Sequence, residues 1–176
     1  MRYIYQKNIM KTILVIIGLF TLTTLSAQNK ATLLISQDAR LAILGDDIGN
    51  DAFTTNVRVA SEWQGNQLKH GFFFGRPEIE YADLKVPFVR TSLNFGFNHN
   101  MFSDYFNIAY SVGYGIIYRK QDRGWLAANQ FNADLYFFVN VTNKISIFVN
   151  GQVVNRNDLK ETKLVYSNFV GIKFEL

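Results

Sequence analysis

Charged residues that could do chemistry stand at alternate positions within segments that are otherwise rich in apolar residues. Five of them stand at the polar positions of such alternating segments: Arg58, Arg76, Glu78, Arg90 and Asp134. Because successive side chains of an extended strand point to opposite faces, these five would lie on one side of a sheet. Charges that are removed from water must be paired and hydrogen-bonded. We therefore predict an interior charge network with a structural role. The alternative is a gated proton or ion path, or a catalytic carboxylate.

Residue types that carry common reactions are scarce. His70 and His99 are the only histidines, and the chain has no cysteine, which excludes disulfides and thiolate metal ligands. Two histidines without any cysteine argue against a zinc site, and no Ser–His–acid arrangement follows from the spacing. We predict no catalytic residue, no metal and no cofactor.

The first 27 residues have the organisation of a secretory signal. An apolar run over 12–22 follows Lys11, and a small-residue stretch ends at Ala27, before Gln28. A spanning helix needs about 20 apolar residues, more than this run contains. We predict a signal peptide over 1–27, with Met10 as an alternative start, and one domain over 28–176. Cleavage before Gln28 resembles export signals of Bacteroidota.

Charge after removal of this segment is close to balanced. The full chain carries 18 basic and 14 acidic residues, and three of the basic ones, Arg2, Lys7 and Lys11, precede the cleavage point. The remaining 15 against 14 leave no electrostatic case for binding nucleic acid.

Eight segments of the mature chain alternate apolar and polar residues, which predicts eight strands. The clearest is the sixth, where Phe131, Leu135 and Phe137 oppose Gln130 and Asp134. The first, over 32–44, is the weakest. Pro77 interrupts the third and predicts a bulge or local break, because proline cannot donate to the ladder. Breaks with turn residues separate the segments at 45–51, 64–67, 82–86, 98–104, 119–124, 142–144 and 155–163.

The polar phase is rich in Asn, Gln, Ser and Gly, unlike a soluble surface, which is dense in Lys and Glu. Segments five and six alternate over about 14 residues, more than the 9–11 with which a tilted strand crosses lipid. Aromatic residues near the breaks predict two interfacial girdles, with Phe53, Tyr81, Tyr118 and Trp125 on one side and Trp63 on the other. Lipid permits only closed sheets, so an even-stranded barrel follows.

The C-terminal segment places Tyr166, Val170, Ile172, Phe174 and Leu176 on one face. It resembles the terminal strand that the outer-membrane assembly machinery recognises, although that strand usually ends in Phe. The whole mature chain resembles the small eight-stranded outer-membrane barrels of the OmpX and OmpA-transmembrane-domain type. The resemblance implies an all-β, antiparallel transmembrane barrel with a plugged polar interior, monomeric and surrounded by outer-membrane lipid. The breaks at 64–67, 98–104 and 142–144 would face the periplasm and the other four the outside.

Three functions are compatible with this pattern. The first is a non-enzymatic integral outer-membrane protein with a structural or surface-interaction role. The second is a lipid A-modifying enzyme of the deacylase or acyltransferase type, for which Pro77 could open a lateral gap in the wall. The third is a soluble periplasmic barrel that binds an apolar ligand, in which the Phe-rich face would be a core.

Overall fold

The computed structural model describes residues 31–46, 49–103, 105–121, 124–159 and 163–176. The predicted signal peptide over 1–27 lies outside the described residues. No helix in the described part of the chain is long and apolar enough to cross a membrane.

Eight antiparallel strands form one closed barrel, in which each strand pairs with its neighbours in sequence and β8 returns to pair with β1. The predicted all-β, eight-stranded antiparallel barrel is therefore confirmed. The strands are β1 Ala31–Asp38, β2 Asn56–Leu68, β3 Gly71–Ala82, β4 Phe88–Ser103, β5 Phe106–Gln121, β6 Gly124–Asn140, β7 Ile145–Arg156 and β8 Lys163–Glu175.

The connections divide between two ends of the barrel. The short turns β2–β3, β4–β5 and β6–β7 lie at one end, here called the lower end, together with the start of β1 and the end of β8. The connections β1–β2, β3–β4, β5–β6 and β7–β8 lie at the other, upper end. This division agrees with the grouping of breaks that the sequence predicts.

The two phases of each strand have opposite environments. In β6, Gln130, Asn132 and Asp134 are buried, whereas the intervening Phe131 and Leu135 are 58% and 43% exposed. The same inversion holds along β4, β5, β7 and β8. Polar residues therefore line the interior and apolar residues form the outer surface, which we call the apolar belt.

The first predicted segment is only partly a strand. β1 ends at Asp38, and a short helix, α1 (Ala39–Ile43), follows. The Asp38 carboxylate accepts hydrogen bonds from the backbone N–H of Arg40 (2.9 Å) and Leu41 (3.0 Å), which caps the helix. The expected strand over 39–44 is wrong, because this cap gives the backbone local partners and turns the chain out of the wall.

The structure also decides two local expectations, one in β2 and one in β3. The break predicted at 64–67 lies within β2, which runs to Leu68 with a register irregularity between Gln64 and Gln67. The turn instead occupies Lys69 and His70. At Pro77 the β2–β3 ladder is interrupted between the pairs Ala60–Glu78 and Trp63–Gly75, but it resumes in the same register. A local break is present there, and a bulge is not.

The interior also contains apolar side chains. One cluster near the lower end contains large rings, among them Phe72, Phe74, Tyr136, Phe138 and Phe148. A second, at the upper end, contains Ala82, Phe88 and Ile117. These residues share the phase of the polar ones, so the interior is layered, with charges packed between apolar groups.

Candidate functional site

Arg58 is the centre of the buried charges. Its guanidinium donates to Asp134 Oδ1 (3.3 Å) and to Asn150 Oδ1 (2.6 Å), and its Nε lies 3.7 Å from Glu78 Oε2. Nε also donates to Ser36 Oγ at 3.3 Å. Since β1, β3, β6 and β7 supply these partners, one side chain on β2 connects strands from opposite walls of the barrel.

Glu78 links Arg58 to a second guanidinium. Arg90 Nη2 lies 2.8 Å from Glu78 Oε1 and 2.6 Å from Glu80 Oε2. The structure thus brings four of the five predicted residues into one chain of contacts. We call this chain, consisting of Arg58, Glu78, Glu80, Arg90 and Asp134, the central network.

Arg76, the fifth predicted residue, belongs to a separate group. Its guanidinium forms an ion pair with Glu62, and the other Glu62 oxygen accepts a hydrogen bond from Lys173 Nζ at 2.9 Å. Glu62 and Lys173 were not among the five predicted network residues. The sequence places both residues at polar positions of their segments, but a contact between β2 and the last strand requires the barrel to close.

Aromatic rings connect the two groups. The guanidinium carbon of Arg76 lies 4.2 Å from the centre of the Tyr136 ring and that of Arg58 lies 5.7 Å from the same ring. Arg58 also stacks over Phe169 at 4.0 Å. Such cation–π contacts stabilise desolvated arginines, so the aromatic layer holds the charged layer in place.

The two groups balance each other in charge. The central network has two arginines and three carboxylates, and the Glu62 group has one carboxylate with Arg76 and Lys173. Their net charges of −1 and +1 cancel. Each of these four buried carboxylates contacts a cationic side chain, which is what burial of charge requires: Glu62 in β2, Glu78 and Glu80 in β3, and Asp134 in β6.

Amide side chains complete the environment of Asp134. Gln152 Nε2 and Asn132 Nδ2 donate to its two oxygens at 2.7 Å and 2.6 Å. Asn132 also donates to Asn94 at 2.6 Å. The space between Arg58, Glu78 and Tyr136 is too small for a water molecule. The interior is therefore tightly packed around Arg58.

A third charged group lies at the upper end. Asp158, in the β7–β8 connection, accepts from Arg156 Nε and Nη2 at 2.7 Å each and from Arg119 Nη1 at 3.3 Å. Arg156 also covers the Phe88 ring at 4.6 Å. Burial opposes ionisation of Asp158, but the hydrogen bonds and charge of Arg156 outweigh it and hold the pKa of the carboxyl below its ordinary value.

The predicted girdle residues occupy different levels of the wall. Tyr81 and Tyr118 both pair with Val89 across neighbouring strands, in the upper part of the wall. Trp125 on β6 pairs with Lys120, which follows Tyr118 by two residues toward the upper end of β5. Phe53 lies in the β1–β2 connection, not in a strand, with a φ of 66°. Trp63 lies toward the lower end, opposite Ala31.

The arrangement offers no recognisable catalytic pair among the described residues. His99 packs against Phe97, with ring centres 5.1 Å apart. In the described ranges no three His, Cys, Asp or Glu side chains are grouped so that they could hold a metal ion.

The closed wall, the apolar exterior and the paired interior charges define a small antiparallel β-barrel of the kind known from outer membranes. Two solved structures of such a barrel are similar. The backbone structure of the Yersinia pestis outer membrane protein Ail in a phospholipid bilayer nanodisc is 10% identical, with a TM-score of 0.56. The crystal structure of Ail, the attachment invasion locus protein of Yersinia pestis, is also 10% identical, with a TM-score of 0.51. Each match covers 85% of this chain and 100% of that chain. At this identity the likeness establishes the fold. No protein-family model and no curated protein matches the chain.

Proposed function

We propose that this chain is a non-enzymatic integral protein of a bacterial outer membrane, with a structural or surface-interaction role in the envelope. The observation that carries the proposal is the apolar belt on a closed barrel. Val112 in mid-β5 is 67% exposed and Phe95 in mid-β4 is 60% exposed. Such residues recur around the wall, and a continuous apolar surface of this extent is unfavourable in water but suits lipid.

The interior supports a structural role over a catalytic one. Each buried carboxylate of the central network and of the Glu62 group already contacts an arginine or lysine. A general base needs an accessible carboxylate or imidazole within reach of a substrate. Here the charges neutralise one another across the lumen, so their contribution is to hold opposite walls together. Loop residues at the upper end would then supply any contact with a partner.

Heat-modifiable migration on a gel tests the membrane barrel directly. The protein is extracted in detergent, and unheated and boiled samples are run side by side. We expect a shift on boiling and recovery in the outer-membrane fraction, since a barrel with buried ion pairs resists unfolding by detergent. Recovery as a soluble periplasmic protein without a shift would contradict the proposal and favour a ligand-binding soluble barrel.

Export and assembly follow from the same proposal. Residues 1–27 would be removed as a signal peptide. The barrel-assembly machinery would recognise β8 as the terminal strand, and the folded product would be monomeric. The N-terminal residue of the mature protein tests the first point, and the expected residue is Gln28. A Bacteroidota-like source stays a prediction that rests on this cleavage position.

Lipid A analysis separates the proposal from its enzymatic alternative. Mass spectrometry of lipid A from cells with and without the protein should give the same acylation pattern. An acyl chain gained or lost only when the protein is present would establish a lipid-modifying activity instead.

A further inference from the structure

One outward position near the middle of the wall carries a polar amide. Asn168 faces outward on β8 together with Val170 and Ile172, and its side chain is exposed. Within the part of the chain that the structure describes, the Asn168 side chain has no hydrogen-bond partner. An amide without a hydrogen-bond partner is costly in hydrocarbon, because lipid tails cannot replace the water that it loses. In a membrane, Asn168 therefore needs a partner that a single barrel does not supply.

The wall on both sides of Asn168 leaves room for such a partner. On β7, Asn168 pairs with Gly151, and a Cβ at Gly151 would meet only Asn168 Oδ1, at 3.8 Å. Packing within the barrel therefore does not demand a glycine here, although glycine weakens a strand. On the other side, the pairing of β1 with β8 ends at Asp38 and Phe169. A small residue beside a polar one is the combination through which membrane-spanning segments approach and bind each other.

Small and β-branched side chains surround Asn168. We call this surface the Asn168 face; it consists of Val149, Gly151 and Val153 on β7, Asn168, Val170 and Ile172 on β8, and Ile35 on β1. Large rings of the apolar belt concentrate on the opposite side, on β3 to β6. There Phe73 contacts Phe97 with ring centres 4.9 Å apart, and Tyr114 contacts Phe131 at 5.0 Å. The belt is therefore asymmetric, and the Asn168 face is an uncharged aliphatic surface with one amide at its centre.

We propose that the Asn168 face binds the same face of a second copy of this chain. Two copies with one orientation in a membrane are related by a two-fold axis along the membrane normal, and such an axis brings a central residue against its own copy. Asparagine is self-complementary, because its amide nitrogen donates and its amide oxygen accepts. Two Asn168 side chains can thus satisfy each other, while Gly151 of each copy leaves the space for their approach. The valines and isoleucines then exclude lipid around the amide pair.

The size of the Asn168 face predicts a reversible contact. Three strands that are about 4.8 Å apart, over a lipid-spanning height of about 25 Å, give roughly 350 Å² on each copy. Stable interfaces bury at least about 1,200 Å² in total, which is more than the two faces provide together. The chain would thus fold as the monomer proposed above, and folded monomers would associate afterwards in the bilayer. This inference rests on the proposed function, because the contact needs a wall that lies in lipid.

Energy transfer between labelled barrels in phosphatidylcholine vesicles tests the proposal. The chain has no cysteine, so Asp51→Cys in an exposed loop provides a single site for a donor or an acceptor dye. The two labelled forms are folded together into vesicles at increasing ratios of protein to lipid. We expect energy transfer that saturates and that an excess of unlabelled barrel abolishes. Energy transfer no greater than that of randomly distributed barrels would overturn the proposal.

Two variants and a matched control locate the contact. Asn168→Val removes the amide and Gly151→Val fills the space beside it, and each should weaken association by about three- to tenfold. Thr91→Val is the control, because Thr91 faces outward on β4, across the barrel from β8, where it pairs with Ile116. This variant should associate like the wild type. Equal association of Asn168→Val and Thr91→Val would contradict the assignment of the contact to the Asn168 face.

Heat-modifiable migration of the same vesicle samples separates two kinds of failure. Barrels that do not fold into the vesicles would overturn the outer-membrane proposal, and this inference with it. Folded barrels that do not associate would overturn this inference alone and leave the outer-membrane proposal in place.

Discussion

Individual charges in this barrel act as connectors between strands that are distant in sequence. Arg58 contacts Asp134, which is 76 residues away, and Asn150, which is 92 residues away. Glu78 contributes the other half of the connection, since it lies between Arg58 and Arg90. When one partner of a buried ion pair is removed, an uncompensated charge is left behind, which costs more than the pair itself contributed.

Glu78→Gln should therefore destabilise the barrel by about 3–5 kcal/mol, because two guanidiniums lose their shared carboxylate while the side-chain shape is kept. Urea unfolding in detergent, followed by tryptophan fluorescence, measures the change. Asp51→Asn, the same chemical change at an exposed loop position, serves as the control and should have little effect. Equal stability of Glu78→Gln and the wild type would show that the central network does not hold the walls together.

Asp158 should make the upper end sensitive to acid. Its pKa is lowered in the folded protein, so its contribution to stability is fully present above the ordinary carboxyl value of about 4 and is lost as pH falls through the lowered folded value. We expect the unfolding midpoint of the wild type to fall across that window. In Asp158→Asn this part of the pH dependence should disappear. A variant with the same acid profile as the wild type would assign the effect to other carboxylates.

Elements of the wall differ in how closely their backbones approach the interior. A Cβ at Gly171 on β8 would meet the Ile35 carbonyl oxygen, Ser36 and the Phe148 ring. A Cβ at Gly151 on β7 would meet only Asn168 Oδ1, at 3.8 Å. The two glycines therefore have different reasons for their small size, and only the inward one is required by packing.

Gly171→Val should destabilise the folded barrel by about 1–3 kcal/mol through overpacking between β8 and β1. Gly151→Val, the matched substitution on the outer surface, should be neutral or slightly stabilising, since valine favours strands. Both are measured by the urea midpoint in the same detergent. Similar midpoints for the two variants would contradict the close approach of β8 to β1 at Gly171.

The short β1 and the helix that follows it affect the closure of the barrel. β1 pairs with β8 only from Thr32 to Asp38, whereas β5 pairs with β6 from Phe106 to Gln121. The seam at which the first and last strands meet is thus shorter than the β5–β6 pairing. Loss of the Asp38 cap would cost about 0.5–2 kcal/mol and would act at this seam.

The molecule as a whole has its apolar surface outside and its charges inside. This inversion of a soluble protein is stable only where the exterior contacts lipid or detergent, because the exposed belt includes aromatic and branched side chains around the wall. A charge placed on the belt should consequently cost free energy in a bilayer and almost none in water.

Val112→Lys should destabilise the barrel in phospholipid vesicles by about 2–4 kcal/mol, since it places a charge on the outward face of mid-β5. Val141→Lys is the control: this valine is similarly exposed but lies in the β6–β7 turn. Equilibrium folding into vesicles measures both. Equal stability of the two variants would argue that the belt around Val112 does not contact lipid.

The sequence by itself determined the strand count, the alternation and the face of nearly every residue. Period two in Gln130 to Val139 is sufficient to separate Asp134 from Phe131, because side-chain direction in a strand is a local property of the backbone. The strand limits that the sequence predicts wrongly also have local causes. The chain leaves the wall after Asp38 because the Asp38 carboxylate caps a helix. β2 continues past Gly65 because the strand accommodates this glycine in a register irregularity between Gln64 and Gln67.

Only the tertiary structure decided which charges meet. Arg76 and Glu62 are on adjacent strands, but Lys173 joins them from β8, 111 residues from Glu62. The alternation of each strand predicts that all these charges face the interior, but it does not predict which of them pair. The pairing depends on the register and tilt of every intervening strand, which determine which side chains reach across the lumen. The direction of each side chain in a strand follows from the local sequence, whereas contacts across the lumen form only when the barrel closes.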